Sequence, residues 1–138
     1  MRFAGRVFRV GRYWAVEVPI LDVVSQGRTK KDALEMIADA VESLANRPGF
    51  TVDVFPGTGA HFEIGSRDQA TLTALLLRRA RQRAGLSLAQ VARRLGATSI
   101  NAYARYEHGR AIPTVQKLSQ LFAAVTSHRD LVVVQSEA

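Results

Sequence analysis

Residues 98 to 110, TSINAYARYEHGR, crowd hydrogen-bonding side chains into a chain that otherwise favours Ala, Val, Leu and Arg. The residue types suit the reading of base-pair edges. An asparagine amide pairs bidentately with adenine, a guanidinium pairs with guanine, and a small apolar group meets a thymine methyl. Asn101, Arg105 and Ala102 supply one of each, and Ser99 adds a hydroxyl. Arg78, Arg79, Arg83, Arg94 and Arg110 are placed to hold the phosphate backbone, together with Ser87 at a helix start, where unpaired N–H groups favour an anion. The competing reading is a protein-binding helical domain whose arginines are merely solvated.

Charge separates the two. The 138 residues carry a net charge of +7, and its distribution is uneven. Residues 1–65 hold eight Lys or Arg and eight Asp or Glu, whereas residues 66–138 hold eleven and four. The whole excess therefore lies in the second half, which favours an anionic partner and above all nucleic acid. Zero cysteines exclude disulfides, thiolate metal ligands and a cysteine nucleophile. No apolar run reaches the roughly 18 residues of a membrane span, and the arginine-studded N-terminus lacks a signal-peptide core, so a cytoplasmic protein without membrane attachment is expected.

The elements that must position these residues follow from hydrophobic period. Residues 2–10 and 13–18 alternate or are β-branched and aromatic, with a glycine turn between them, and LDVVSQG predicts a third strand. Thr29 is placed to cap a helix reaching about Asn46, with Leu34, Ile37, Val41 and Leu44 on one face and Asp32, Glu35, Asp39 and Glu42 on another. TVDVF and HFEIG predict two more strands around the turn PGTGA. The first 65 residues thus read as βββαββ, one helix on a small antiparallel or mixed sheet. From Ser66, expected to open a capping box with Gln69, four short helices follow: one to Gly85, one from Ser87 to Leu95, one from about Ser99 to Glu107, and one after Pro113. LVVVQ at 131–135 is β-like, able to pair with its own sheet or with a symmetry mate. The expected class is α+β, with domains 1–65 and 66–138, the second all-α apart from a short C-terminal strand.

Two resemblances sharpen this. Arg81, Gly85-Leu86-Ser87, Val91-Ala92, Leu95-Gly96, Glu107, Gly109, Pro113 and Leu118 form a spaced set similar to the Cro and phage-repressor (XRE-like) class of helix-turn-helix domain, spanning Leu77 to Val125. Leu88 stands where that family usually has glutamine, and the interval from Gly96 to Glu107 is one residue longer. The pattern turns Tyr103, Tyr106 and Ala97 inward and Ser99, Asn101, Ala102 and Arg105 outward. Upstream, Tyr13-Trp14, Pro19, Ser25-Gln26-Gly27, Thr29 and Asp32-Ala33 resemble the N-terminal domain of HicB-family antitoxins, although LDVV replaces the usual Pro-Gly before the third strand. That resemblance implies a degenerate ribonuclease-H-like fold that binds and silences a small mRNA-cleaving toxin, HicA, and a helix-turn-helix that represses the operon encoding both. Asp32, Glu35, Asp39 and Glu42 are the candidate toxin-binding acids, with a solvated helix face as the plain alternative.

Catalysis is not expected. A ribonuclease H site needs several carboxylates converging on Mg²⁺, and the spacing of Asp22, Asp53, Glu63 and Glu17 gives no sign of that. His61, His108 and His128 are scattered, and PGTGA lacks the Lys-Ser/Thr of a phosphate loop, so neither a metal nor a cofactor is expected. The sequence reads as an antitoxin and autorepressor, binding operator double-stranded DNA as a homodimer or higher oligomer. The alternative is a repressor whose N-terminal domain senses a ligand and has no toxin partner.

Overall fold

The computed structural model describes residues 1–137 and divides them into two compact units: residues 1–68 with the C-terminal residues 135–137, and residues 69–134. The division falls three residues later than the sequence suggests, and the chain's end returns to the first unit.

In the first unit, strands β1 (Arg2–Val10), β2 (Tyr13–Val18), β3 (Val23–Gly27), β4 (Asp53–Pro56) and β5 (His61–Gly65) form one sheet in the order β3-β2-β1-β5-β4. Every pairing is antiparallel, so the mixed alternative falls away. Register is set by the buried face: Val7 lies opposite Val16 and Phe3 opposite Ile64, all four buried against helix α1 (Lys30–Ala45), which contributes Ala33, Ile37 and Val41. Thr29 caps α1 by accepting the Asp32 N–H at 3.0 Å, and Asn46 closes it in the left-handed region.

The third strand starts later than LDVVSQG implies. Pro19–Leu21 form a single 3₁₀ turn, Asp22 takes a left-handed conformation (φ 54°), and pairing begins only at Val23. Proline presets the first turn residue, and aspartate tolerates positive φ. At the other end of β3, Gly27 lies so close to α1 that a Cβ would sit 2.8 Å from the Ala33 Cα and closer still to its nitrogen. Gly27→Ala is therefore expected to lower stability by about 1–3 kcal/mol, through displacement of α1 from the sheet. A melting curve followed by Trp14 fluorescence checks this, since Trp14 is the register partner of Gly27.

Glu63 of β5 is buried, within 3.1 Å of the Arg2 guanidinium and 3.3 Å of His61 Nε2, and it accepts the Glu137 backbone N–H at 3.1 Å. Burial raises its pKa, but the Glu137 N–H, Arg2 and His61 outweigh that, and the net shift is below the ordinary 4.5. A carboxyl lowered on folding stabilises the native state above its unfolded pKa, and that contribution is lost as pH falls through the lowered value. Acid unfolding of the first unit should accordingly lose part of its steepness in Glu63→Gln, as read by Trp14 fluorescence against pH.

The second unit comprises α2 (Gln69–Arg83), α3 (Leu88–Arg94), α4 (Asn101–Glu107) and α5 (Val115–Val125). Ser66 Oγ accepts the Asp68 N–H at 3.1 Å just ahead of α2, which runs from Gln69. The core comprises Leu72, Leu75, Leu76, Leu77, Val91, Tyr103, Leu121 and Val125. Residues 131–135 form no strand. Val132, Val133 and Val134 are exposed, and among the described residues no sheet edge pairs with them. No helix among the described residues is long and apolar enough to cross a membrane.

Candidate nucleic-acid interface

Three helices of the second unit end in the same way. After α2, Gly85 has φ 69°, with Gly85 N–H on the Gln82 carbonyl and Leu86 N–H on that of Arg81. Gly96 (φ 70°) closes α3 through bonds to Arg93 and Ala92, and Gly109 (φ 68°) closes α4 through bonds to Tyr106 and Arg105. Each is a Schellman motif, in which a left-handed glycine satisfies the last helical carbonyls and turns the chain sharply. The spaced glycines in the sequence thus have one physical cause. Between the first two lies Ser87, which caps α3 in a full capping box: its Oγ accepts the Gln90 N–H at 3.1 Å, and Gln90 Oε1 accepts the Ser87 N–H at 2.8 Å.

A buried ion pair locks this arrangement. Arg81 near the end of α2 donates through Nε to Glu107 Oε2 at 2.7 Å and through Nη2 to Oε1 at 3.0 Å, and its third nitrogen reaches the Leu86 carbonyl at 2.9 Å. The Glu107 side chain is only 3% exposed and that of Arg81 16%, so the charges are satisfied by each other rather than by water. The carboxylate raises the pKa of Arg81 against the opposing effect of its desolvation. Burial, followed by the nearby Glu107 charge, pushes the Tyr103 phenol well above its ordinary value. Its hydroxyl lies beside that carboxylate without reaching hydrogen-bond geometry. The sequence marks Arg81 and Glu107 as members of the spaced set without revealing that they bond. The available signal was two opposite charges on otherwise apolar helix faces.

Anchored by Glu107, α4 presents its other side to solvent. Tyr103 and Tyr106 are buried, while Ser99, Asn101, Ala102 and Arg105 are all exposed. The helix starts two residues later than expected, at Asn101. Ser99 lies before the helix, and its Oγ accepts the Asn101 N–H at 3.2 Å. Asn101 and Ala102 occupy the first turn of α4, and Arg105 follows one turn on. The Arg105 guanidinium is held 4.9 Å from the Tyr106 ring centroid and donates to the Tyr106 hydroxyl at 3.2 Å, which fixes its direction and leaves other donors available.

The arginines expected at phosphates divide. Arg83 and Arg110 are exposed, and Arg78 and Arg79 are half-buried on α2, where Arg79 reaches Gln82 Oε1 at 3.4 Å. Arg94 has a structural task that the sequence did not signal: Nη1 donates to the Ala124 carbonyl at 3.1 Å, tying α3 to α5. Residues 74–132 match the family model described as a helix-turn-helix domain. This segment is a DNA-binding helix-turn-helix domain. The match supports sequence-specific DNA binding and a part in transcription regulation. No curated protein matches the chain.

In the first unit the four expected toxin-binding acids do not form a free stripe. Asp32 accepts the Arg28 N–H at 3.0 Å as part of the α1 cap, and Glu42 accepts the Val52 N–H at 2.8 Å, which fixes the entry to β4. Glu35 and Asp39 remain exposed. The helical spacing was right, but a carboxylate one turn from a loop satisfies that loop's backbone first. Glu35 borders a groove of about 660 Å³ between α1 and β4, with Leu34, Ala38, Val52 and Val54 on its walls and Lys30 and Lys31 at its rim. Of the other acids, Asp22 sits in its left-handed turn, Asp53 opens β4, Glu17 faces Arg6 at 3.9 Å and Glu63 is held by Arg2. Among the described residues no three His, Asp or Glu side chains group as a metal site.

Proposed function

We propose that this protein is an antitoxin and autorepressor of the HicA/HicB type. Its α+β unit binds and silences a small HicA-like toxin ribonuclease, and its helix-turn-helix domain represses the operon encoding both. The observation that carries the reading is the join, in one chain, of an acid-bearing βββαββ unit resembling the HicB N-terminal domain to a basic helix-turn-helix domain. The chain acts as a homodimer on a two-fold operator, in the cytoplasm, and performs no catalysis itself. Glu35 and Asp39 steer a basic toxin toward the first unit, affecting association rate and selectivity more than affinity.

The test is co-expression with the small basic protein encoded beside it. Relief of growth arrest together with co-purification supports the reading, and the absence of both refutes it. The groove between α1 and β4 favours a second reading, a repressor whose first unit senses a small apolar ligand. That reading requires DNA affinity to change when a ligand stabilises the first unit, with no protein partner involved.

A further inference from the structure

The turn between β4 and β5 and the carboxylate beside it are furnished for more than the sheet. Glu63 Oε1 is taken by Arg2 at 3.1 Å, whereas Oε2 lies 3.3 Å from His61 Nε2 and accepts the backbone N–H of Glu137 at 3.1 Å. Arg2 in turn stands 3.5 Å from the Phe55 ring centroid, so groups from β1, β4 and β5 hold this buried carboxylate in place. Thr58 in the turn donates its N–H to Glu137 Oε2 at 2.9 Å. Gly57 completes the site. A Cβ there would overlap that same Glu137 oxygen and lie 2.9 Å from the His61 ring, so the missing side chain is what lets the carboxylate approach the turn.

One residue thus presents an N–H to a fixed carboxylate and a carboxylate to a fixed N–H. These two bonds of opposite polarity are met together by an acidic residue in an extended chain. We propose that the β4–β5 turn is a receptor site for an acidic residue in an extended peptide, and that Gln135-Ser136-Glu137 occupies it as a displaceable latch. Residues 135–137 group with the sheet unit although residues 69–134 before them form the helical one, so the latch gives the helix-turn-helix unit a second tether to the sheet unit. Ser136 is engaged as well, yet both it and Glu137 stay exposed, so polar bonds rather than burial hold the segment. Such bonds are individually weak, and the short connection from α5 supplies the local concentration, on the order of mM, that keeps the site filled. A partner segment with the same acidic chemistry competes for it.

The test uses the isotope-labelled full chain and needs neither DNA nor toxin, so its outcome is independent of the antitoxin reading. In Glu137→Ala the Thr58 amide loses its acceptor and should exchange with solvent at least about tenfold faster, while amides of β1 and β2 exchange as before. An amide-capped peptide of residues 131–137, added at about 10 mM to exceed the local concentration of the tether, should restore the Thr58 resonance and its protection in that variant. The same peptide with alanine for its glutamate should not. In the unmodified chain the peptide should displace the tail, read as sharpened resonances for residues 131–137. Gly57→Ala should release the tail and make the turn unresponsive to the peptide. Unchanged Thr58 exchange in Glu137→Ala would overturn the latch. Failure of the peptide to restore protection, or equal restoration by its alanine form, would overturn the receptor site. Thr58 protection that fell on dilution of the unmodified chain would assign the bound tail to a second molecule and overturn occupancy within one chain.

Discussion

Glu107→Ala is expected to unfold the helix-turn-helix unit while leaving the sheet unit folded. The substitution leaves the Arg81 guanidinium, only 16% exposed, facing a cavity where a bidentate carboxylate had been. Breaking a buried pair by removing one partner costs about 3–5 kcal/mol, since the surviving charge is left uncompensated. A unit of this size has roughly 0.05–0.15 kcal/mol of stability per residue, so the loss is comparable to its whole stability. Trp14 lies in the sheet unit and reports that unit by fluorescence, while most of the helical signal comes from α2 to α5. In urea the helical signal should be lost at far lower denaturant than the Trp14 signal. Tyr103→Phe is the matched control in the same core. It deletes a buried hydroxyl that has no hydrogen-bond partner, so stability should change little or rise slightly. Unchanged urea midpoints in Glu107→Ala would mean that the ion pair does not hold α4 in place.

The second large effect is on recognition. Arg105→Ala removes the side chain that α4 directs outward over Tyr106, and a bidentate contact to a base is worth about 1–3 kcal/mol of discrimination. Competition binding should therefore show a preference for operator over scrambled duplex reduced by one to two orders of magnitude, with non-specific affinity largely retained. Arg83→Ala should do the opposite: it should weaken both duplexes alike and lower the slope of log affinity against log salt by about one. If the two substitutions had the same profile, α4 would not be the reading helix. Arg94→Ala is a poor probe of phosphate contact, because its guanidinium holds the Ala124 carbonyl and its loss would loosen α5.

What was legible in the sequence, and what was not, divides along physical lines. The strands, α1 and the buried faces of α4 were readable because hydrophobic period and capping residues act locally: Thr29 caps where its type suggests, and Tyr103 and Tyr106 turn inward together. The glycines at 85, 96 and 109 were visible as a pattern, and the structure supplies their shared reason in three Schellman turns. Long-range uses of charge were not readable. Arg81 finds Glu107 twenty-six residues away, Arg94 finds the end of α5, and Glu42 is taken by the Val52 backbone, and local sequence does not name these distant partners. The same gap explains why four acids at even helical spacing gave only two free carboxylates. The valine run at 132–134 shows the reverse case: β-propensity was plain, but a strand needs a pairing edge, and among the described residues none meets it.

The central claim is that the exposed face of α4 reads DNA for a paired molecule, and selection of binding sites from random duplexes by the full chain tests it most directly. The account predicts enrichment of two related half-sites about 10 bp apart centre to centre, or a multiple of that spacing, bound about a thousandfold or more tighter than random sequence at physiological salt. Asn101→Ala combined with Arg105→Ala should abolish the enrichment without unfolding the domain. Enrichment of the same sites by that double variant, or no enrichment by the unmodified chain, would contradict it.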